Sequence, residues 1–318
     1  MIEENPKKFN LPSLELLFAI VVYATVNMAV YLRFGKLPEL SLGVVVLLTL
    51  PVVGFVTRSK EFTRSSLLFI TVILTYEALQ GLTGALVNSG TVVSLAGLDR
   101  ALVGFDFTSA FQAAFASSAI TLVSTFFYGL HVLLIIIAVV LFWFKNKTVY
   151  RGYAYSMILT SYLALLTFVI IPSAPPWFVG TARNLLTAGD KMLPSFLQSV
   201  QAVLLSGESD IFAAFPSLHA AYVTLFSVFM FKLDRRCGFA SLPIVFGVYF
   251  SIIYLGQHFL VDLLAGITYA MFSAYVAGSL FPQIRARFLA LPKRGGSRTG
   301  LAFSGVYTTK EDVDSLWK

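Results

Sequence analysis

The sequence predicts an all-α fold, a polytopic helix bundle that crosses a membrane. Three observations carry this. Of the 318 residues 57% are hydrophobic and 12% are charged, whereas about a quarter are charged in a soluble domain. The apolar residues fall in runs close to the roughly 20 residues that a bilayer-spanning helix needs. The basic residues behind the net charge of +7 gather in the polar gaps between those runs. They therefore report topology and give no sign of nucleic-acid binding.

Taken in order, the runs cover residues 11–32, 40–57, 66–88, 121–144, 149–171, 215–232, 239–257 and 260–281, about eight transmembrane helices. The first run is too long, and residues 1–10 too acidic, for a cleaved signal peptide. Residues 89–120 break the pattern with Asp99, Arg100, Asp106 and Gln112, and residues 172–214 form the longest internal loop. Both stretches are expected to carry interfacial helices. Beyond Phe281 the apolar run ends, and Gly295-Gly296-Ser297-Arg298 mark a flexible basic tail suited to anionic lipid heads. The single Cys237 leaves no intrachain disulfide framework and no multi-cysteine metal site.

Charge then orients the bundle. Lys7 and Lys8, the gaps with Arg58 to Arg64, Lys145 to Arg151 and Lys232 to Arg236, and the tail fall on one side. Only Arg33, Lys36, Arg100, Arg183 and Lys191 fall on the other. The positive-inside rule puts both termini in the cytoplasm. Residues 172–214 and the turn before His258 then face outward or into a lumen, so the chain is expected to be a multi-pass protein of the cell membrane, or of a Golgi-type membrane in a eukaryote.

Chemistry-bearing residues sit in polar islands. In Gly256-Gln257-His258-Phe259-Leu260-Val261-Asp262, a histidine and an aspartate four residues apart are expected on one helix face. Asp262 then fixes the tautomer of His258, whose other nitrogen is an activated nucleophile. In Phe215-Pro216-Ser217-Leu218-His219, Pro-Ser opens a helix whose N-terminus suits an anion, and His219 can protonate a leaving group. Together they suggest phosphoryl transfer at a membrane surface. Neither island has the ligands to close a zinc site, and no cofactor is expected.

A third island, Pro172-Ser173-Ala174-Pro175-Pro176-Trp177-Phe178, ends the fifth run. The order of a proline-rich cap, then Pro-Ser-x-His, then Ser251-x6-His258-x3-Asp262 resembles the three motifs of the phosphatidic acid phosphatase type 2 superfamily. Ala-Phe-Pro-Ser-Leu-His-Ala and Tyr-Leu-Gly-Gln-His-Phe-Leu-Val-Asp-Leu are similar to its inositol phosphorylceramide synthase branch. The resemblance implies a six-helix core over residues 66–281, with two extra spans in residues 1–65 and the tail in residues 282–318. It implies that His258 forms a phosphohistidine, Asp262 orients it, His219 serves as acid and then base, Pro216 and Ser217 line the phosphate and Ser251 orders the site. The superfamily's usual arginine after that serine is replaced by Ile252, and the basic residues of its first motif are missing. Arg183 and Lys191 in the outer loop are the expected substitutes.

Other residues are assigned more loosely. His131 is a polar contact between helices or a residue of the cavity. Glu77, with Gln80 one turn on, can bind a headgroup or a neighbouring helix. Trp177, at the interface, can meet a headgroup or line the cavity, and Asp210, with Asp190 and Glu208, suits a polyol. The function expected is transfer of a phosphoryl-headgroup, such as inositol phosphate, from a phospholipid donor to a lipid or polyol acceptor. The first alternative is a lipid or polyprenyl phosphate phosphatase, with water as acceptor. The second is a transporter that uses His258 and Asp262 as a proton relay.

Overall fold

A computed structural model describes residues 14–35, 46–86, 92–192, 194–195, 198–199 and 211–280. The chain divides into two compact units, Met1–Leu86 with Leu205–Asp210, and Val87–Leu204 with Ile211–Lys318. In the first, α1 (Leu14–Phe34) and α2 (Thr49–Val56) pack on α3 (Lys60–Leu86).

The second unit carries all three motifs. It begins with two short helices, α4 (Ala96–Val103) and α5 (Phe107–Ala114), in the stretch expected to be interfacial. Two long helices follow, α6 (Ser118–Lys145) and α7 (Lys147–Ile170), then the short α8 (Leu185–Asp190). Last come α9 (Leu218–Leu233), α10 (Arg235–Tyr254) and α11 (Leu260–Tyr275), the last running into a π-helical turn, Val276–Leu280. Single residues join two of the pairs. Asn146 is extended, and its side chain accepts hydrogen bonds from Thr148 N and Val149 N, so it starts α7 where α6 stops. Asp234 does the same between α9 and α10 through Arg236 N and Cys237 N.

Among the described residues six helices are long and apolar enough to span a bilayer: Leu14–Arg33, Lys60–Gln80, Ser118–Lys145, Lys147–Ile170, Arg235–Tyr254 and Leu260–Gly278. The second expected span, residues 40–57, is described only from residue 46. The sixth is shorter than its apolar run, because Ser217 caps the helix and Phe215 and Pro216 precede the cap. Its 16 residues make about 24 Å of helix, short of the roughly 30 Å hydrocarbon core.

That short helix is central: α9 packs against α6, α7, α10 and α11. Ala220, Ala221, Val223 and Leu225 lose all exposure there. Phe239, Phe246, Leu264, Met271 and Phe272 point outward, while Ser156, Thr160, Ser161, Ser241 and Ser273 are wholly buried. Hydroxyl pairs such as Ser161–Tyr222 at 2.8 Å and Ser227–Ser241 at 2.8 Å join the helices. Apolar surface outside and buried hydroxyls inside, several of them paired, are what a hydrocarbon solvent selects. The chain is an integral membrane protein.

Candidate active site

The three motifs meet. Ser173 N donates to Phe212 O at 3.0 Å and Ser173 O accepts from Ala214 N at 3.1 Å, which ties the proline-rich segment to the entry of α9. Trp177 reaches the third motif twice, through N to Gly256 O at 3.2 Å and Nε1 to Gln257 Oε1 at 3.1 Å. Ser217 caps α9 by accepting from Ala220 N, and its own N–H donates to Asp262 O at 3.0 Å. Gly266 of α11 lies against the same residue, so close that a Cβ there would sit 2.2 Å from Ser217 O. No side chain separates α9 from α11 at that point.

These contacts set the histidines face to face. His219 stands in the first turn of α9, and its Nδ1 is 3.3 Å from Nε2 of His258. His258 is not on a helix face with Asp262, as the four-residue spacing predicts. It lies in the turn between α10 and α11, whereas Asp262 lies in the first turn of α11. The turn exists because Gly256 adopts φ +80° and because Gln257 N and His258 N both donate to Ile252 O, which ends α10. A side chain at Gly256 would also meet Arg183 O at 2.4 Å. His258 Nδ1 still faces Asp262 Oδ2 at 3.5 Å, both side chains being buried. Oδ2 accepts from Phe259 N at 2.8 Å, and Oδ1 is buried without a hydrogen-bond partner among the described residues. A shift of under 1 Å would bring the imidazole to the roughly 2.7–2.9 Å of a charge-assisted bond. A proton on Nδ1 would leave the Nε2 lone pair of His258 facing His219.

Comparison with known proteins agrees with the convergence. The profile of the PAP2 superfamily matches residues 93–276, the stretch that holds all three motifs. The chain belongs to the PAP2 superfamily. It is similar to an inositol phosphorylceramide synthase of Candida albicans, 27% identical over 189 residues, 56% of this chain and 37% of that protein. It is similar too to a phosphoinositol dihydroceramide synthase of Bacteroides thetaiotaomicron, 24% identical over 150 residues, 43% of this chain and 48% of that protein. The matched segments thus span less than half the length of either relative. No solved structure matches.

In this PAP2 protein the other expected residues take various positions. His131 joins it: its ring centroid is 4.1 Å from that of His219, and its Nδ1 donates to Tyr128 O at 2.6 Å. Pro216 is buried under the entry to α9. Ser251 has no exposed surface, and its hydroxyl donates to Gly247 O at 2.6 Å in its own helix. Arg183 approaches through its backbone, beside Gly256, while its side chain is exposed. Lys191 is exposed just after α8. Glu77 lies half-buried on α3 in the first unit, and Asp210 lies outside the described residues.

The structure adds residues that sequence reasoning missed. The Tyr128 ring stacks on His219 with centroids 4.5 Å apart and planes 28° apart. An aromatic face within about 6 Å attracts a cation, so this stack would offset part of the cost of charging the buried ring. Its trace in the sequence is the i, i+3 spacing of Tyr128 and His131, one face of one helix. Asp99 and Gln112, legible only as polar residues in a mixed stretch, are buried against the third motif.

Proposed function

We propose that this protein is a lipid phosphotransferase that moves a phosphoryl-headgroup, inositol phosphate being the first candidate, from a phospholipid to a lipid alcohol. Superfamily membership and the names of both relatives support an enzyme that acts on lipid phosphoryl groups. The observation that carries the mechanism is the line Asp262–His258–His219, with Nδ1 toward the carboxylate and Nε2 toward the second imidazole.

In the first half reaction His258 Nε2 attacks phosphorus, the bond from phosphorus to the glycerol oxygen breaks, and His219 delivers its Nδ1 proton to that oxygen. Diacylglycerol leaves and a phosphohistidine ester remains. The acid must start as an imidazolium, since neutral imidazole giving up its only N–H would become an imidazolate. The Tyr128 face supports that cation. In the second half an acceptor hydroxyl passes its proton to His219, its oxygen attacks phosphorus, and the bond to His258 breaks. The first turn of α9 contributes partial positive charge to the phosphoryl oxygens. Arg183 and Lys191 are the basic side chains assigned to share that task, on the outward-facing side of the membrane.

The test uses the full chain in lipid nanodiscs with phosphatidylinositol labelled in the inositol ring and a ceramide-type alcohol. Label appearing in a new alkali-stable lipid supports the reading. Release of water-soluble inositol phosphate at the same rate with and without the alcohol would make the protein a hydrolase and overturn it.

A further inference from the structure

His258 sits in a turn of few residues, and a turn by itself is a poor platform for a nucleophile. Two buried polar residues from outside the three motifs bracket it. On α5, Gln112 donates through Nε2 to Tyr254 O at 2.9 Å and to Arg183 O at 2.8 Å, and its Oε1 accepts from Arg183 N at 3.0 Å. It therefore grips the end of α10, four residues before His258, and the loop that packs on Gly256. On α4, Asp99 accepts through Oδ1 from Val261 N at 2.9 Å, three residues after His258. Asp99 and Gln112 are 2% and 3% exposed. Asp99 Oδ2 has no hydrogen-bond partner among the described residues. A buried carboxylate with one oxygen unsatisfied is costly to keep, and the geometry links the other oxygen to the turn that carries His258.

We propose that Asp99 and Gln112 are positioning residues which hold the His258 turn from both ends and so fix Nε2 on the line between Asp262 and His219. This rests on the assignment of His258 as nucleophile. Neither residue touches His258. Gln112 fixes where α10 stops and Asp99 fixes where α11 starts, so loss of either frees one end of the turn.

The experiment compares Asp99→Ala, Asp99→Asn and Gln112→Ala with wild type, each as the full chain in nanodiscs. Two quantities are read: kcat and KM for headgroup transfer, and the rate at which diethyl pyrocarbonate modifies His258, followed by peptide mass spectrometry. Both alanine variants should lose about 10²-fold in kcat, the scale of a 1 Å misplacement, with KM within about twofold. Their His258 modification rate should change by about threefold or more. Asp99→Asn keeps an acceptor for Val261 N and should recover kcat to within about threefold of wild type. The modification rate does not depend on which lipid is the substrate. If no lipid is turned over, the proposed function fails and the labelling still decides this proposal. Wild-type kcat and labelling in both alanine variants would overturn it. So would a loss of kcat that merely follows loss of folded protein while His258 of the folded fraction reacts as in wild type.

Discussion

Nδ1 of His219 and Nε2 of His258 lie 3.3 Å apart, so each imidazole occupies the place where the other's reaction partner must sit. An in-line displacement needs the nucleophile about 3–3.5 Å from phosphorus and the acid about 2.6–3.2 Å from the leaving oxygen. Those two spans together far exceed the present gap. The rings must part to admit a phosphate.

The two histidines should separate kinetically. His258→Ala is expected to abolish the acid-labile phosphoenzyme. His219→Ala should still form it from donors whose leaving group needs no proton, while losing about 10²–10⁴-fold with ordinary lipids. Rapid quench with phosphorus-labelled lipid checks this, and equal labelling of wild type and His258→Ala would refute the assignment.

Asp262→Asn should keep the bond from Phe259 N through its amide oxygen and therefore keep the start of α11. It removes the charge facing His258 Nδ1, and the expected loss in kcat is about 10⁴-fold. Single-turnover rates on detergent-purified protein of unchanged melting temperature measure it. A loss under tenfold would mean that Asp262 acts as a cap alone.

Gly266→Ala inserts a methyl 2.2 Å from Ser217 O and 3.1 Å from Ala220 Cβ. Backbone cannot swing aside, so α9 and α11 must part. A stability loss of about 1–3 kcal/mol is expected, with a larger proportional fall in kcat, since the two helices place His219 and Asp262. Thermal unfolding and turnover at one temperature test this together. A variant with wild-type values in both would show that the contact has slack.

Asp99 predicts a pH dependence of stability. Desolvation by burial pushes its carboxyl above the ordinary value of 3.8, and nearby Asp106 adds to the rise, against the backbone N–H groups of Val261 and Leu260. A carboxyl raised on folding binds its proton more tightly in the folded state. Its stabilising contribution is therefore fully present below the unfolded value and is lost as pH rises through the folded one. Asparagine has no such titration. Between about pH 4 and pH 8 the melting temperature of wild type should fall relative to Asp99→Asn. A difference that stays level, or moves in favour of wild type, would contradict the burial argument.

Sidedness is open to chemistry. In a Cys237→Ala background, a cysteine at the exposed Thr187 should react with an impermeant maleimide on intact cells, and a cysteine at the exposed Arg236 should not. The reverse pattern would turn the site to the cytoplasm.

Much of this was legible because hydrocarbon imposes a simple rule, and runs such as residues 121–144 and 149–171 reappear as α6 and α7 within a few residues. Hydropathy counts side chains and is blind to backbone. It therefore passed over Phe215-Pro216-Ser217 as part of a span, and spacing alone placed His258 on a helix that starts two residues later. The convergence of Trp177, His219, His258 and Asp262 followed from motif order, since each motif is a local device. Asp99 and Gln112 belong to no motif. Their roles depend on contacts 162 and 142 residues away in the chain, and nothing local announces such partners.

The shortness of α9 has a kinetic consequence. If Lys232 and Asp234 stand at one headgroup level, a helix of 16 residues, about 24 Å, begins some 6 Å inside the opposite boundary of a roughly 30 Å core. His219 is then recessed, at a depth that phospholipid ester oxygens reach by lateral diffusion and that a dissolved phosphate ester reaches only by leaving water. The rate should follow the mole fraction of donor in the membrane plane, and diluting that plane with inert lipid should slow turnover at constant bulk concentration.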